Sequence, residues 1–149
     1  MSMKKFLKLA SALFVAAALT FSMAACNQNT ASQVDKTGAW ETASYVSDTE
    51  VGEGEKTMTV KVEADEQTVT FTVHSDAETV GEALQENNLI DGEESEYGLY
   101  VKAVNGIVAD YDTDQTYWAF LKNGEYMQNG VDQTPLSDGD SYELVKPKG

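Results

Sequence analysis

The chain has 149 residues, with 25 aspartates and glutamates against 10 lysines, no arginine and one cysteine. The net charge of −15 argues against a nucleic-acid partner, because phosphate recognition depends on clusters of Lys and Arg. With a single cysteine no internal disulfide can form, so the folded part must be stabilised by its core.

The N-terminus has the layout of a secretory signal. Three lysines precede an apolar stretch, residues 9–23, which is shorter than the ~20 residues that span a bilayer comfortably. The stretch runs into Met-Ala-Ala-Cys, which resembles the lipobox of bacterial lipoproteins, with Met23 in place of the commoner leucine. We therefore predict a signal peptide over residues 1–25 and a mature N-terminus at Cys26, acylated with chains such as palmitate.

This lipidation predicts an extracytoplasmic protein that is held at the bacterial cell membrane by its N-terminal lipid, since several acyl chains anchor a protein stably. The alternative is a plain secreted protein in which Cys26 is a free thiol. From Cys26 onward seven lysines face 25 acids, a net charge of −18.

Residues 26–55 are predicted to be the lipidated cysteine followed by a flexible tether. The segment is rich in Asn, Gln, Ser, Thr, Gly and acids, and it has no sustained hydrophobic periodicity. Trp40 and Tyr45 are its only sizeable aromatic residues. Docking of these two rings on the folded domain is the alternative to a mobile tether.

The folded domain is predicted over residues 56–149, and most of it is strand-like. Apolar residues alternate with Thr and other polar residues through 58–62 and 69–73, joined by the short link EADEQ, which predicts a β-hairpin. Later runs LYVKAV and YWAFLK are followed by Asn105-Gly106 and Asn123-Gly124. Asn-Gly favours the type I′ turn, which predicts two more hairpins before a last strand, SYELV.

One short helix is predicted between the two halves. Thr79 and Glu82 form a capping box, with Ser75 and Glu78 as a competing start, and residues 80–84 place apolar side chains on one helical face. A helix of roughly three turns follows from this spacing. The element order predicts an α+β domain.

Several short landmarks follow one another in a characteristic order and spacing. These are Val80 to Leu84, Tyr97-Gly98 with Val101, Asn105-Gly106, Tyr117-Trp118-Ala119-Phe120, Asn123-Gly124-Glu125, Gly130-Val131-Asp132 and Asp138-Gly139-Asp140. In these landmarks the chain resembles bacterial domains related to the C-terminal domain of transcobalamin and intrinsic factor, many of which are known only as a domain of unknown function and occur in lipoproteins. The likeness covers roughly residues 57–146.

The resemblance implies a β-grasp-like fold, with a mixed or antiparallel sheet of about five strands and one short helix on a face. It also implies cobalamin or another corrinoid as a ligand, because in the vitamin B12 carriers this domain covers one face of the corrin. The helical domain that grips the other face in those carriers is absent from this sequence. The implied alternatives are weak binding by this domain alone, a partner protein, or another small molecule.

The stretch ADYDTDQTYWAF suggests a calcium site. Asp110, Asp112 and Asp114 match positions 1, 3 and 5 of an EF-hand loop, but Gln115 replaces the glycine of position 6 and Leu121 the acid of position 12. The motif is half present. It predicts either weak divalent-cation binding or a solvated acidic connection.

Aromatic residues around this stretch form a second candidate site. In a strand, Trp118 and Phe120 would share one face and Tyr117 the other. With Tyr111 and Tyr126, the exposed rings form a predicted binding surface for a planar ligand, a sugar or a protein. The alternative is core packing. The set of candidate ligand-binding residues is Tyr111, Tyr117, Trp118 and Tyr126.

We expect no enzymatic activity. His74 is the only histidine and lies on the polar face of its predicted strand, and no nucleophile with a base, phosphate-binding glycine loop or His/Cys metal cluster can be assembled. The leading hypothesis is a cell-surface ligand-binding module. The alternatives are a calcium-binding protein that uses the aspartate loop, and a protein–protein or cell-wall adhesion module.

Overall fold

The computed structural model describes residues 33–147. The predicted signal peptide over 1–25 and the lipidation site Cys26 lie outside the described residues. Between residues 33 and 147, no helix is long and apolar enough to cross a bilayer.

The described chain forms nine strands, two short α-helices and two 3₁₀ turns. In chain order these are a 3₁₀ turn Gly38–Thr42, β1 Thr49–Gly52, β2 Lys56–Ala64, β3 Gln67–Ser75, α1 Val80–Glu86, β4 Ile90–Ser95, β5 Gly98–Val104, β6 Ile107–Val108, α2 Tyr111–Asp114, β7 Ala119–Lys122, β8 Glu125–Tyr126, a 3₁₀ turn Val131–Gln133 and β9 Ser141–Lys146.

The strands form a six-stranded sheet in the order β1-β3-β2-β9-β7-β8 and a three-stranded sheet in the order β4-β5-β6. At the centre of the larger sheet, β2 pairs antiparallel with β3 and parallel with β9, while β7 pairs antiparallel with β9. One sheet face carries the alternating apolar residues, and helix α1 contributes Val80, Ala83 and Leu84 to the same buried core. The predicted α+β class, with a sheet of several strands and a short helix, is confirmed.

The predicted hairpins are also present. Asn105 and Asn123 both have φ near +54°, and the glycine that follows each has φ of +79°, as a type I′ turn requires. The first hairpin closes through Asp65 and Glu66, whose φ values of +47° and +65° are likewise positive.

Helix α1 begins at the predicted capping residue but ends sooner than predicted. The Thr79 hydroxyl accepts a hydrogen bond from the backbone N–H of Glu82 at 3.2 Å, and the Glu82 carboxylate accepts one from the N–H of Glu78 at 3.1 Å. The helix has seven residues, about two turns, rather than three. Asn88 ends it, because its φ of +57° is incompatible with a further helical turn.

The segment predicted as a flexible tether over 26–55 is ordered from residue 33 and packs on the domain. Trp40 has 0% of its surface exposed, and its indole N–H donates to the carbonyl of Ala64 at 2.8 Å. Strand β1 extends the larger sheet by pairing parallel with β3. The domain therefore begins near residue 33 and not at residue 56.

A buried asparagine holds the middle of this N-terminal segment. The Asn105 side chain accepts from the backbone N–H of Tyr45 at 2.9 Å and donates to the carbonyl of Tyr45 at 2.8 Å. The polar composition of this segment predicted disorder. In the structure, burial of Trp40, the pairing of β1 and the hydrogen bonds of the Asn105 side chain are enough to order it.

Candidate ligand-binding cleft

An apolar cleft lies between β5 of the smaller sheet and strands β7 and β9 of the larger sheet. It encloses about 340 Å³, at the lower end of the range of small-molecule sites. Half of its lining is aromatic, and no lining residue is charged. The lining residues are Leu99, Tyr100, Val101, Tyr111, Tyr117, Trp118, Phe120, Gly130, Val131 and Leu144.

Three of the four aromatic residues predicted from the sequence line this cleft: Tyr111, Tyr117 and Trp118. Tyr126 does not line it but lies beside Tyr117. The pKa of Tyr117 is raised, chiefly by electrostatic interaction with Tyr126 and a hydrogen bond to it, and further by burial and by Tyr111. The tyrosine rings therefore form one neutral cluster at the mouth of the cleft.

The predicted separation of Tyr117 from Trp118 and Phe120 onto opposite strand faces is wrong. Strand β7 starts only at Ala119, so the two-residue periodicity does not extend back to Tyr117. Tyr117 is 40% exposed and Trp118 only 8% exposed, yet both rings border the same cleft.

The floor of the cleft is rigid. The Trp118 indole N–H donates to the carbonyl of Ile107 at 3.1 Å, and the Phe120 ring stacks on Tyr142 with centroids 5.3 Å apart. The Tyr142 hydroxyl donates to the Asp140 carboxylate at 2.9 Å. Burial, with this bond and the charge of Asp140, raises the pKa of Tyr142 to about 12. Fixed rings of this kind lower the entropy cost of binding a ligand.

The aspartates predicted as a calcium loop are used for local hydrogen bonds. The Asp110 carboxylate accepts from the N–H of Asp112 at 3.1 Å and from the hydroxyl of Thr113 at 3.0 Å, which caps the single-turn helix α2. The Asp114 carboxylate accepts from the hydroxyl and the N–H of Thr116, and these bonds are the main reason that the pKa of Asp114 is lowered.

These contacts do not make a coordination shell. Lys146 lies 4.0 Å from the Asp114 carboxylate and competes with any cation there. Over residues 33–147, no group of three or more His, Cys, Asp or Glu side chains is placed to hold a metal ion. Calcium at Asp110, Asp112 and Asp114 would have to displace these hydrogen bonds and the contact of Lys146 with Asp114.

One acidic side chain behind the cleft is incompletely bonded. The Asp132 carboxylate accepts from the N–H of Leu99 at 3.1 Å, which ties the 3₁₀ turn to the start of β5. Its other oxygen, Oδ1, is buried and has no hydrogen-bond partner within the described residues. A side chain at Gly98 would meet this carboxylate at about 3 Å, so only glycine fits there.

Two other concavities are weaker candidates. A groove of about 540 Å³ beside the C-terminal end of α1 is larger, but its lining is mostly polar and includes Gln85, Asn88 and Asp91. A third concavity of about 290 Å³ lies on the polar sheet face around Lys61 and Glu143. Neither gathers aromatic rings, whereas apolar and aromatic linings are typical of ligand sites.

Several cleft residues were not predicted as site residues from the sequence. From the sequence, Leu99, Tyr100 and Val101 were predicted as part of a strand, and Gly130 and Val131 only as a landmark of the family resemblance. Their place in the cleft follows from the packing of β5 against the larger sheet, which no local pattern predicts.

The comparisons with known proteins agree with this fold. A family model described as a domain of unknown function, DUF4430, matches residues 77–143. A solved structure of a "putative metal binding protein" from Ruminococcus gnavus is 43% identical, covering 64% of this chain and 99% of that chain, with a TM-score of 0.60. Haptocorrin in complex with Cbi is 23% identical, with a TM-score of 0.50, covering 62% of this chain and 25% of haptocorrin, and shares the fold.

No curated protein matches the chain in sequence. The Ruminococcus gnavus protein is matched over nearly its whole length, at an identity that shows common descent. The chain therefore belongs to the family of that protein, and its residues 77–143 match the model of the domain of unknown function DUF4430.

Proposed function

We propose that this chain is a ligand-binding module, not an enzyme, and that it binds a small molecule in the aromatic cleft. The cleft itself carries the proposal: five aromatic rings and five further uncharged residues converge on one concavity of about 340 Å³. The fold shared with haptocorrin in complex with Cbi supports a corrinoid as the first candidate ligand.

The size of the cleft limits what it can do alone. It would bury only one face of a ligand as large as a corrinoid, and affinity depends on how fully the ligand is desolvated. We therefore expect modest affinity from the isolated domain. A surface protein partner that covers the open side would raise it.

The sequence supports a location for this module. We propose that Cys26 carries lipid and holds the domain on the extracytoplasmic face of the bacterial membrane. Only residues 27–32 separate Cys26 from the described domain. Six residues reach at most roughly 20 Å when extended, which sets the longest link between the lipid and the first described residue.

Divalent-cation binding is the second candidate function, because the Ruminococcus gnavus protein is described as metal binding with the qualifier "putative". The described residues of this chain offer no ready coordination shell. We therefore expect calcium to bind weakly, and Asp112→Asn with Asp114→Asn to abolish the calcium binding that does occur. Adhesion through the exposed tyrosines is the remaining alternative.

Calorimetric titration of cobalamin into the chain from residue 27 onward tests the proposed function. Tyr117→Ala removes a ring from the cleft, while Tyr97→Ala is a matched control, because Tyr97 is 82% exposed and lies outside the cleft. We expect saturable binding that weakens about tenfold in Tyr117→Ala and not in Tyr97→Ala. Equal binding by both variants would place the site elsewhere. If cobalamin does not bind at all, the corrinoid assignment fails.

A further inference from the structure

We infer that the cleft selects a ligand with a cationic group, an organic ammonium, which it holds against the tyrosine rings. This inference rests on the proposed function, and it specifies that the ligand carries a positive charge without specifying the rest of its structure. It follows from three features: the ring faces, the absence of positive charge in the lining, and the acidic residues beside the mouth.

The rings provide the attraction. Tyr100, Tyr111 and Tyr117 line the cleft and are 41%, 59% and 40% exposed, so a ligand in the cleft can reach their rings, whereas Trp118 is only 8% exposed. The face of an aromatic ring carries negative potential, and a cation within about 6 Å of its centre is attracted, most strongly where water is excluded. Sites that bind quaternary ammonium groups typically place several aromatic rings around one cavity.

The charges nearby have one predominant sign. Asp112 follows Tyr111 directly and is exposed, and among the described contacts its carboxylate has no partner. Glu125 is likewise exposed beside Tyr126. Each of the three strands that form the cleft carries a lysine, and each lysine is paired with an acid, so its charge is offset. The pairs are Lys102 with Glu93 at 3.5 Å, Lys122 with Asp140 at 3.5 Å and Lys146 with Asp114 at 4.0 Å.

Behind the wall of the cleft, the buried and unpartnered Oδ1 of Asp132 adds further negative potential. The domain as a whole carries a large negative charge and contains no arginine. A cationic ligand is therefore drawn toward the mouth, and an anionic ligand is repelled.

Two probes of the same shape, one charged and one neutral, measure how much the ligand's charge contributes to binding. Choline and 3,3-dimethyl-1-butanol differ in having nitrogen or carbon at the centre of the same trimethyl group. Each is titrated into the ¹⁵N-labelled chain from residue 27 onward, and the shift of the Trp118 indole N–H signal reports occupancy of the cleft. We expect choline to bind roughly five- to thirtyfold more tightly than the neutral alcohol.

Two substitutions test the source of this preference. Asp112→Asn removes one negative charge beside Tyr111 and should weaken choline binding about twofold at low salt, without changing binding of the alcohol. Glu41→Gln makes the same charge change on the exposed N-terminal segment and serves as the control. An equal effect of both substitutions would mean that only the net charge of the protein matters, which contradicts a local acidic mouth.

The outcomes separate this inference from the proposed function. If the alcohol binds as well as choline, the cationic preference is refuted and the cleft remains a binding site. If neither probe moves the Trp118 signal while cobalamin does, the cationic preference is again refuted and the proposed function stands. The third outcome is that choline binds more tightly than the alcohol and that Tyr117→Ala, but not Tyr97→Ala, abolishes choline binding. This result supports both the cationic preference and the proposed function.

Discussion

Replacing Trp40 tests whether the N-terminal segment is part of the fold. The ring is completely buried, and its indole N–H is bonded to the carbonyl of Ala64 at 2.8 Å. Trp40→Ala removes the ring and leaves this carbonyl without its partner, a change that typically costs about 3–5 kcal/mol of unfolding free energy. A domain of the 115 described residues has only about 6–17 kcal/mol in total, so the loss is large.

The assay is equilibrium unfolding in urea, followed by circular dichroism at constant pH. Trp40→Phe keeps an aromatic ring and removes the hydrogen bond, so we expect it to lose about 1–3 kcal/mol, less than Trp40→Ala. Tyr97→Ala is the exposed aromatic control and should change the unfolding free energy by less than about 0.5 kcal/mol. A loss below about 1 kcal/mol in Trp40→Ala would show that the segment is the loose tether that its composition suggests.

Three further changes have expected outcomes in the same assay. Asn105→Ala should destabilise the domain by about 2 kcal/mol more than Asn123→Ala. Both asparagines have φ near +54°, so the strain of the new residue is matched, but only Asn105 forms hydrogen bonds to the backbone of Tyr45. Equal losses of stability would contradict this role of Asn105. Thr79→Ala removes the cap of α1 and should cost about 1 kcal/mol, and no loss would mean that the cap contributes nothing. The pKa of Tyr142 is raised from 10.0 to about 12, so its stabilising contribution is fully present below pH about 10 and is lost as the pH rises toward 12. Tyr142→Phe should therefore make the alkaline loss of stability shallower than in the unchanged protein, and an unchanged slope would contradict the assigned cause.

Local sequence patterns correctly predicted the elements that depend on interactions between residues close together in the sequence. The alternation in β2 and β3, the two Asn-Gly turns and the Thr79 cap each follow from a few neighbouring residues, and the structure confirms them. The aromatic surface was predicted from the clustering of rings near Trp118, and three of its four residues line the cleft.

The features that the sequence did not predict depend on long-range contacts. Trp40 is buried in the core and donates a hydrogen bond to the carbonyl of Ala64, which lies 24 residues away in the sequence. The EF-hand-like spacing of Asp110, Asp112 and Asp114 did not predict their geometry, since nearby Thr and backbone donors satisfy two of the three carboxylates. A short acidic loop more readily caps its own turn than encloses an ion.

Whether the aromatic cleft binds the ligand can be read from the indole N–H signals of the two tryptophans. The chain has two tryptophans, so the ¹⁵N spectrum of the labelled protein should contain two such signals. Trp118 lines the cleft, whereas Trp40 is buried elsewhere and is an internal control. On titration with cobalamin, we expect a saturable shift of the Trp118 signal and little change in that of Trp40. A ligand that binds by calorimetry but leaves the Trp118 signal in place would contradict binding in the cleft.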